Sequence, residues 1–372
     1  MRAPARRAVF WMYRPTAPSA RAQSIQVIHA AHACAERGHR VTLCVRAASP
    51  GVTAADVLDA YGLAPSPGLR LVVTPAGGTA SSLRVRWEVA RWMAANPGGL
   101  VLARAKRDAA AARRWFGQRF RLVLEAHEVD SLRAAERGDD PGPWRQLEAR
   151  VLAESSGVIA NCPGTLEALR VAHPHAAVLA DRAVALQNAT HPARIRRPTT
   201  PGDDIGYVGS LLPEKDVAVL ADAAARLGRR VVLVGPPHPS VDALIARGGG
   251  YLVREGPLPH RDVPDRLARF RTLVLPLGTG LFGSQLTSPL KLFDYLASGR
   301  PIAAADTPAA RAAAPPGSVV WWQAGDAGSL ATALDRLDRD DALRAATLGA
   351  ARVRTWAERA AEQDAFLDAV LG

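Results

Sequence analysis

Lysine is nearly absent: of 47 Lys plus Arg residues in this 372-residue chain, only Lys106, Lys215 and Lys291 are lysines. Abundant Arg and Ala are the mark of GC-rich bacterial coding, so Arg is the default cation and each surviving Lys is informative. Cysteine is scarce too. Cys34, Cys44 and Cys162 are odd in number, lack metal-ligand spacing and sit in apolar segments, which argues against a zinc cluster or disulfide framework and predicts reduced core thiols. No apolar run approaches the roughly 18 residues of a membrane span. The opening MRAPARRAVFWMYRP has too short an apolar stretch for a secretory signal, so a soluble protein on the cytosolic side is expected. Also missing are a Gly-x-Gly-x-x-Gly after the first strand candidate, a Gly-Lys-Ser/Thr, heptads and short repeats, which disfavours dinucleotide binding, P-loop chemistry and coiled coils.

What is present is a regular alternation. At 48% hydrophobic, the chain can supply two ordinary domains with a core each. Short apolar runs read as strands: AVFWMY (8–13), RVTLCV (40–45), LRLVVT (69–74), GLVLAR (99–104), RLVLEA (121–126), GVIANC (157–162) and VALQN (184–188). Helical patterns lie between them, the clearest being SIQVIHAAHACAERG, where Ile25, Ile28, His32 and Ala35 recur at helical spacing before Gly38. The Pro-, Thr- and Arg-rich stretch 191–204 reads as a linker. The pattern then restarts with IGYVGS, RVVLVG, YLVREG, TLVLPLG, PIAAAD and SVVWWQ. The expectation is an α/β protein with a domain over 1–195, a linker over 196–204 and a second domain over 205–356. A last helix, about 357–372, is expected to pack back on the first domain. Ligands of such open sheets bind at the carboxyl ends of the strands, here in a cleft between the two sheets.

Charge is uneven along the chain. Residues 1–200 hold 28 basic and 15 acidic side chains, whereas 201–372 hold 19 and 20, so the first half either meets something anionic, such as a membrane surface, a phosphorylated substrate or nucleic acid, or carries a solvated surface coloured by codon bias. Two stretches there, SLRVRWEVARWMAA (82–95) and RDAAAARRWFGQRFR (107–121), combine Arg with Trp and Phe as interfacial helices do. Trp87, Trp92 and Trp115 serve either a membrane surface or the core and an acceptor cleft. The basic residues form no recognised nucleic-acid module.

Two segments of the second half carry chemistry. In IGYVGSLLPEKDVAVL a strand ends at Gly209-Ser210 and a helix starts near Asp216. Turn amides, the Ser210 hydroxyl and Lys215 thereby gather where a phosphate could sit. In TSPLKLFDYLASGRP, Ser288 reads as an N-cap with Pro289 at the first helical position. Lys291 then falls in the first turn, where the helix dipole disfavours a cation by ~0.3–1 kcal/mol. Asp294 shares its face, as a helix pair with Lys291 worth only ~0.2–0.5 kcal/mol or as a pair of ligand contacts, the carboxylate accepting ribose hydroxyls.

Together YVGSLLPEKDVAVL and VLPLGTGLFGSQLTSPLKLFDYLASGRPIAAAD resemble the nucleotide-sugar half of a GT-B glycosyltransferase of family 4. AQSIQVIHAAHACAERGHRVTL, LVLEAHEV and GVIANCPGTLEAL extend the resemblance over nearly the whole chain. It implies two doubly wound, Rossmann-like domains facing a central cleft. It also implies transfer of a glycosyl group from a nucleoside diphosphate sugar, UDP- or GDP-linked, to an unidentified acceptor, with retention and without a metal or other cofactor. Lys215 matches the second member of the family's diphosphate-binding basic pair, and Ser210 stands where Arg is common. Asp294 matches the second of two glutamates and is expected to hold the ribose; the first falls at Leu286, which cannot do that work, leaving the donor sugar to Gly283, Ser284 and Gln285. Amides of Thr287, Ser288, Pro289 and Leu290 are expected to cradle the diphosphate beside Gly209 and Lys291, with the base near Gly256, Pro257 and Leu258. His127, beside Glu125 and Glu128, stands where the family has a cleft histidine, so His127, Lys215 and Lys291 form the expected catalytic set. The family's Gly-rich loop after the first strand is replaced by RPTAPSARAQSIQ, where Ser19, Arg21 and Gln23 are expected to offer side chains instead. Peripheral contact with an anionic inner leaflet is a further expectation. The rival readings are a sugar-nucleotide 2-epimerase of the same fold and a non-catalytic GT-B scaffold.

Overall fold

The computed structural model describes residues 6–371 apart from 77, 192, 194, 196–199, 213 and 214. It divides into two compact units, Met1–Gln187 with Trp356–Gly372, and Asn188–Thr355. Part of the expected linker, 196–199, lies outside the described residues. The division falls earlier than that stretch, because Asn188 and Thr190 already spend their hydrogen bonds on Ser288 and Asp294 of the second unit.

The first unit is built on a parallel sheet of β1 (Ala8–Met12), β2 (Thr16–Ala17), β3 (Arg40–Ala47), β4 (Leu69–Thr74), β5 (Leu100–Ala103), β6 (Arg121–Ala126), β7 (Gly157–Ala160) and β8 (Ala183–Ala185). β3 lies between β4 and β1, and the sheet continues through β5, β6 and β7 to β8; the two-residue β2 pairs with β3 beyond the end of β1. In the second unit, β9 (Ile205–Val208), β10 (Val231–Val234), β11 (Leu252–Glu255), β12 (Thr272–Leu275), β13 (Ile302–Asp306) and β14 (Val320–Gln323) run in the order β11-β10-β9-β12-β13-β14. The expected strands are there, most of them trimmed at an end, β4 and β6 unchanged and β3 running on to Ala47; β2 was not foreseen, since two residues carry no periodicity. Runs such as VVLV of β10 are buried throughout, as sheets covered on both faces require.

Both sheets start in the middle, wind one way for three strands and then return to the other side. That reversal leaves a crevice at the carboxyl ends of β1 and β5 in one unit, and of β9 and β12 in the other.

The helix Ala22–Glu36 departs from a one-sided reading. Ser24 through Ala35 are all buried, because the C-terminal helix Trp356–Leu371 covers the face that solvent would otherwise have. Its polar side chains are therefore bound: Ser24 donates to the Thr16 carbonyl (2.9 Å), and His32 meets the Ala64 carbonyl (2.8 Å). The C-terminal helix returns the favour with ions. Asp364 takes Arg37 and His39, and Asp368 takes Arg7.

That return also changes the charge picture. Counted by compact unit, the first carries 26 basic and 19 acidic residues and the second 21 and 16. The apparent asymmetry arose from cutting at residue 200, which assigned Arg194, Arg196 and Arg197 to the first half and the acidic C-terminal helix to the second.

Candidate functional site

In the second unit the crevice is formed by the turn after β9 and the segment after β12. Gly209 follows β9 directly, and a methyl group there would lie 1.8 Å from Lys291 Cε. Its own carbonyl would lie 2.0 Å from a methyl group on Gly235, so three chain segments meet at van der Waals contact only because two glycines are present. Lys291 is thereby laid across the end of β9, its Nζ 5.3 Å from the centre of the Tyr207 ring. Tyr207 is buried and donates its hydroxyl to the Ser210 carbonyl (2.6 Å), which fixes the turn. Tyr295, from the same helix as Lys291, donates to Val208 O (3.3 Å) and accepts from Val208 N (3.0 Å).

Lys215, farther along the same segment, has its Nζ 5.4 Å from the centre of the Phe282 ring. Phe282 lies on the short helix Leu281–Ser284 after β12, so the two segments of the crevice touch through this contact. Asp216 next to it has φ of 51°, the only left-handed non-glycine backbone among the described residues. Such a conformation costs on the order of 1 kcal/mol and concentrates where function holds it. The following helix begins at Ala218, two residues beyond the expected start.

The helix start at Lys291 also differs from expectation. The helix is Leu290–Ala297 and its N-cap residue is Pro289, with no side-chain cap. Ser288 is not the cap: its hydroxyl accepts from Asn188 N (2.7 Å) and its carbonyl from Asn188 Nδ2 (2.8 Å). Pro289 has no N–H, so the expected amide cradle is reduced to Thr287, Ser288 and Leu290. Asp294 is half-buried, and its Oδ1 accepts from Thr190 Oγ1 at 2.6 Å. Leu286 is fully buried, a core position rather than a place for a sugar-binding carboxylate. Ser284 is half-buried and Gln285 exposed, while Gly283 packs so closely on Gly278 that a methyl group would meet its carbonyl at 2.5 Å. After β11, Gly256 and Pro257 are exposed and Leu258 packs on the unit's core.

The first unit answers differently. Glu125, at the end of β6, is 1% exposed and is not open to a sugar. It accepts from Trp11 Nε1 (3.1 Å), Gln26 Nε2 (2.9 Å) and Arg359 Nη2 (2.8 Å). Burial by itself would raise its carboxyl, but His127, Arg359 and Arg104 outweigh burial and hold it well below the usual carboxylate range. Glu125 is thus a buried clasp for the C-terminal helix. His127 keeps partial exposure, with Nε2 3.6 Å from Glu125 Oε1, too long for a hydrogen bond but close enough for charge to act. Burial, helped by Arg104 and opposed by Glu125, pushes its imidazole down to about 4.

Ser19 is tied by its backbone to the Tyr61 hydroxyl, 2.9 Å in each direction, and its Oγ accepts from Arg21 N (3.2 Å). Arg21 and Gln23 line a cavity of about 710 Å³ beyond β1. Of the tryptophans, Trp92 is core, edge-on to Phe10, whereas Trp87 and Trp115 are exposed. All three cysteines are buried free thiols, with Cys34 and Cys44 pushed up to about 12 by burial. Lys106 is buried too, donating to the Glu128 carbonyl (2.6 Å) and paired with Asp130 (2.7 Å).

Residues 202–340 match the family described as glycosyl transferases group 1. That match takes in most of the second unit. The whole chain is similar to sucrose-phosphate synthase from Thermosynechococcus elongatus, with TM-score 0.76, 16% identity and 98% and 99% of the two chains covered. It is also similar to Anabaena HepE in complex with UDP and glucose (TM-score 0.73, 15% identity, 98% and 100% covered). WaaG, a glycosyltransferase of lipopolysaccharide biosynthesis, follows at TM-score 0.63, 15% identity, and 96% and 95% covered. At such identities the likeness establishes the fold, which is GT-B. No curated protein matches the chain by sequence. Asn188 and Thr190, which bond Ser288 and Asp294 at the crevice, lie outside the family-like segments, and Tyr207 and Phe282 lie inside them without a role that the sequence assigned; the placement of Gly209, Lys215 and Lys291 was readable.

Proposed function

We propose that the protein transfers a glycosyl group from a nucleoside diphosphate sugar to a hydroxyl-bearing acceptor. The observation that carries this reading is the convergence of Gly209, Lys215 and Lys291 on the β9/β12 crevice. Lys291 and Lys215 hold the diphosphate, with amides of the turn and helix start; Asp294, oriented by Thr190, takes the ribose hydroxyls. UDP is the favoured nucleotide because HepE was solved with UDP and with UDP-glucose.

In the reaction the acceptor oxygen bonds to the anomeric carbon, the bond from that carbon to the β-phosphate oxygen breaks, and the diphosphate leaves with the acceptor's proton. Lys215 and Lys291 stabilise the charge that develops on the leaving group. Two full positive charges replace a divalent cation, and the same-face proton transfer to the leaving phosphate gives retention. His127, uncharged at neutral pH, contacts the transferred sugar as a hydrogen-bond partner. UDP should raise the melting temperature, and turnover of a UDP-sugar should persist in EDTA. No UDP-, GDP-, ADP- or dTDP-induced shift would remove the donor reading.

A second reading, a GT-B scaffold that binds nucleotide without transfer, is favoured by the buried Leu286; nucleotide binding without hydrolysis or transfer of any matching sugar would select it. We further propose a cytoplasmic protein with peripheral contact to anionic membrane, a reading supported by the exposed Leu83 and Trp87 of the helix Gly78–Ala95, where Arg91 lies over the Trp87 ring at 5.4 Å. Among the described residues no helix is long and apolar enough to cross a membrane. Liposome flotation that does not depend on anionic lipid would remove this contact.

A further inference from the structure

The cavity beyond β1 is distinguished by its charge. Arg14, Arg21, Arg46 and Arg86 line it against a single carboxylate, Asp108, with Trp115 at one side. Four guanidiniums and one acid give the walls a formal excess of three positive charges, far denser than the chain as a whole. Burial raises the Asp108 carboxyl, and Arg14 opposes the shift. Arg46 Nε is buried with no hydrogen-bond partner among the described residues. A buried guanidinium N–H left open is costly unless something enters to accept it. Arg86 is held with its guanidinium 4.6 Å from the centre of the Trp115 ring, so at least one of these cations is positioned rather than trailing in solvent.

No glycine lies between Met12 and the helix Ala22–Glu36, so this turn offers side chains and not close backbone approach. Arg matches oxyanions bidentately, and a phosphate monoester brings a charge of about −1.5 to −2 at neutral pH, which suits several guanidiniums better than one carboxylate's single charge.

We propose that this cavity binds the acceptor and that the acceptor carries a phosphate monoester recognised by Arg21, Arg46 and Arg86. The inference rests on the glycosyltransferase reading for the word acceptor, but its test does not use the donor.

Equilibrium binding of glucose 6-phosphate and of glucose to the full chain, at about 150 mM salt to screen diffuse attraction, reads the site directly. Glucose 6-phosphate should bind at least about tenfold more tightly than glucose, as charge-assisted bonds require, with inorganic phosphate competing. Arg21→Gln with Arg86→Gln, both exposed residues whose loss leaves the core untouched, should remove that preference. Arg46→Gln should weaken it separately. Removing two exposed charges elsewhere, Arg269→Gln with Arg339→Gln, should leave it intact.

Vesicles of phosphatidic acid against phosphatidylcholine separate a lipid-borne phosphate from a soluble one. Retention on phosphatidic acid alone that is lost in Arg21→Gln/Arg86→Gln supports the phosphate site with a lipid source. Glucose 6-phosphate binding no tighter than glucose, with no variant-sensitive retention on phosphatidic acid, overturns the inference, as does equal loss in both double variants. UDP binding measured on the same protein keeps the two readings apart. UDP binding without phosphate binding defeats only the acceptor inference, and the reverse defeats only the donor reading.

Discussion

The two units wind their strands in the same order yet end their first strand in opposite ways. After β9 comes Gly209, and the chain uses the missing Cβ to let the Lys291 side chain and the Gly235 turn approach the backbone. After β1 comes Tyr13-Arg14-Pro15, with no glycine before the next helix, and the corresponding space is lined by guanidiniums. One crevice is built for an approach to main chain, the other for reach by side chains. One topology thus presents two differently lined strand ends, decided by a few residues at the switch point. The comparison extends to buried charge, since the first unit spends Glu125 on holding its C-terminal helix while the second keeps Asp294 half-exposed beside Lys291.

Breaking the first unit's clasp should give the largest effect. Arg359→Met leaves Glu125 buried without its fixed cation, a loss of about 3–5 kcal/mol of stability measured by denaturant unfolding. Adding Glu125→Gln should recover much of it, because the uncompensated charge is removed while an amide oxygen can still accept from Trp11 and Gln26. If the single and double variants unfold alike, Glu125 is not the clasp described.

Next, Gly209→Ala should push Lys291 out of place and weaken UDP binding by about tenfold or more, at the scale of one charge-assisted hydrogen bond, read by calorimetry. The comparable change at Tyr13 should leave UDP binding alone.

A smaller effect is expected at Asp294. Thr190→Val removes the hydroxyl that orients it and should cost about 1 kcal/mol of UDP affinity. Equal affinity for UDP and for a nucleotide lacking ribose hydroxyls would disconnect Asp294 from the ribose.

A pH dependence is also expected from the first unit. His127 titrates at about 4 in the folded chain and near 6.5 when unfolded, so between those values the unfolded state binds more protons. Stability should therefore fall as pH drops from about 6.5 toward about 4, and His127→Asn should flatten that slope in melting scans. The Glu125 carboxyl, depressed in the fold, adds a loss that sets in only below its unfolded value of about 4.3.

Much of the architecture was legible because buried parallel strands are near-continuous apolar runs, and RLVLEA and LRLVVT even kept their predicted limits. The placement of Lys215 and Lys291 was legible because lysine is rare here and both follow strand ends. Lys106 shows the limit of that argument: it is as rare, yet its ammonium is spent on Asp130 and the Glu128 carbonyl. Glu125 was misplaced as a sugar contact because its partners Trp11, Gln26 and Arg359 are distant in sequence, and nothing local announces a buried carboxylate. Ser288 looked like a cap because Ser-Pro is the usual capping pair, but a tertiary partner, Asn188, took its hydroxyl. Local chemistry read correctly still loses to a contact a hundred residues away.

The central claim is that Lys291 lies across Gly209 to hold a diphosphate. Calorimetric UDP binding to Lys291→Ala tests it, alongside the variant's melting temperature. The account predicts affinity lower by about tenfold to a hundredfold, the value of a charge-assisted contact, with the melting temperature of the unliganded protein nearly unchanged. Unchanged UDP affinity would contradict it and return Lys291 to a helix-surface cation.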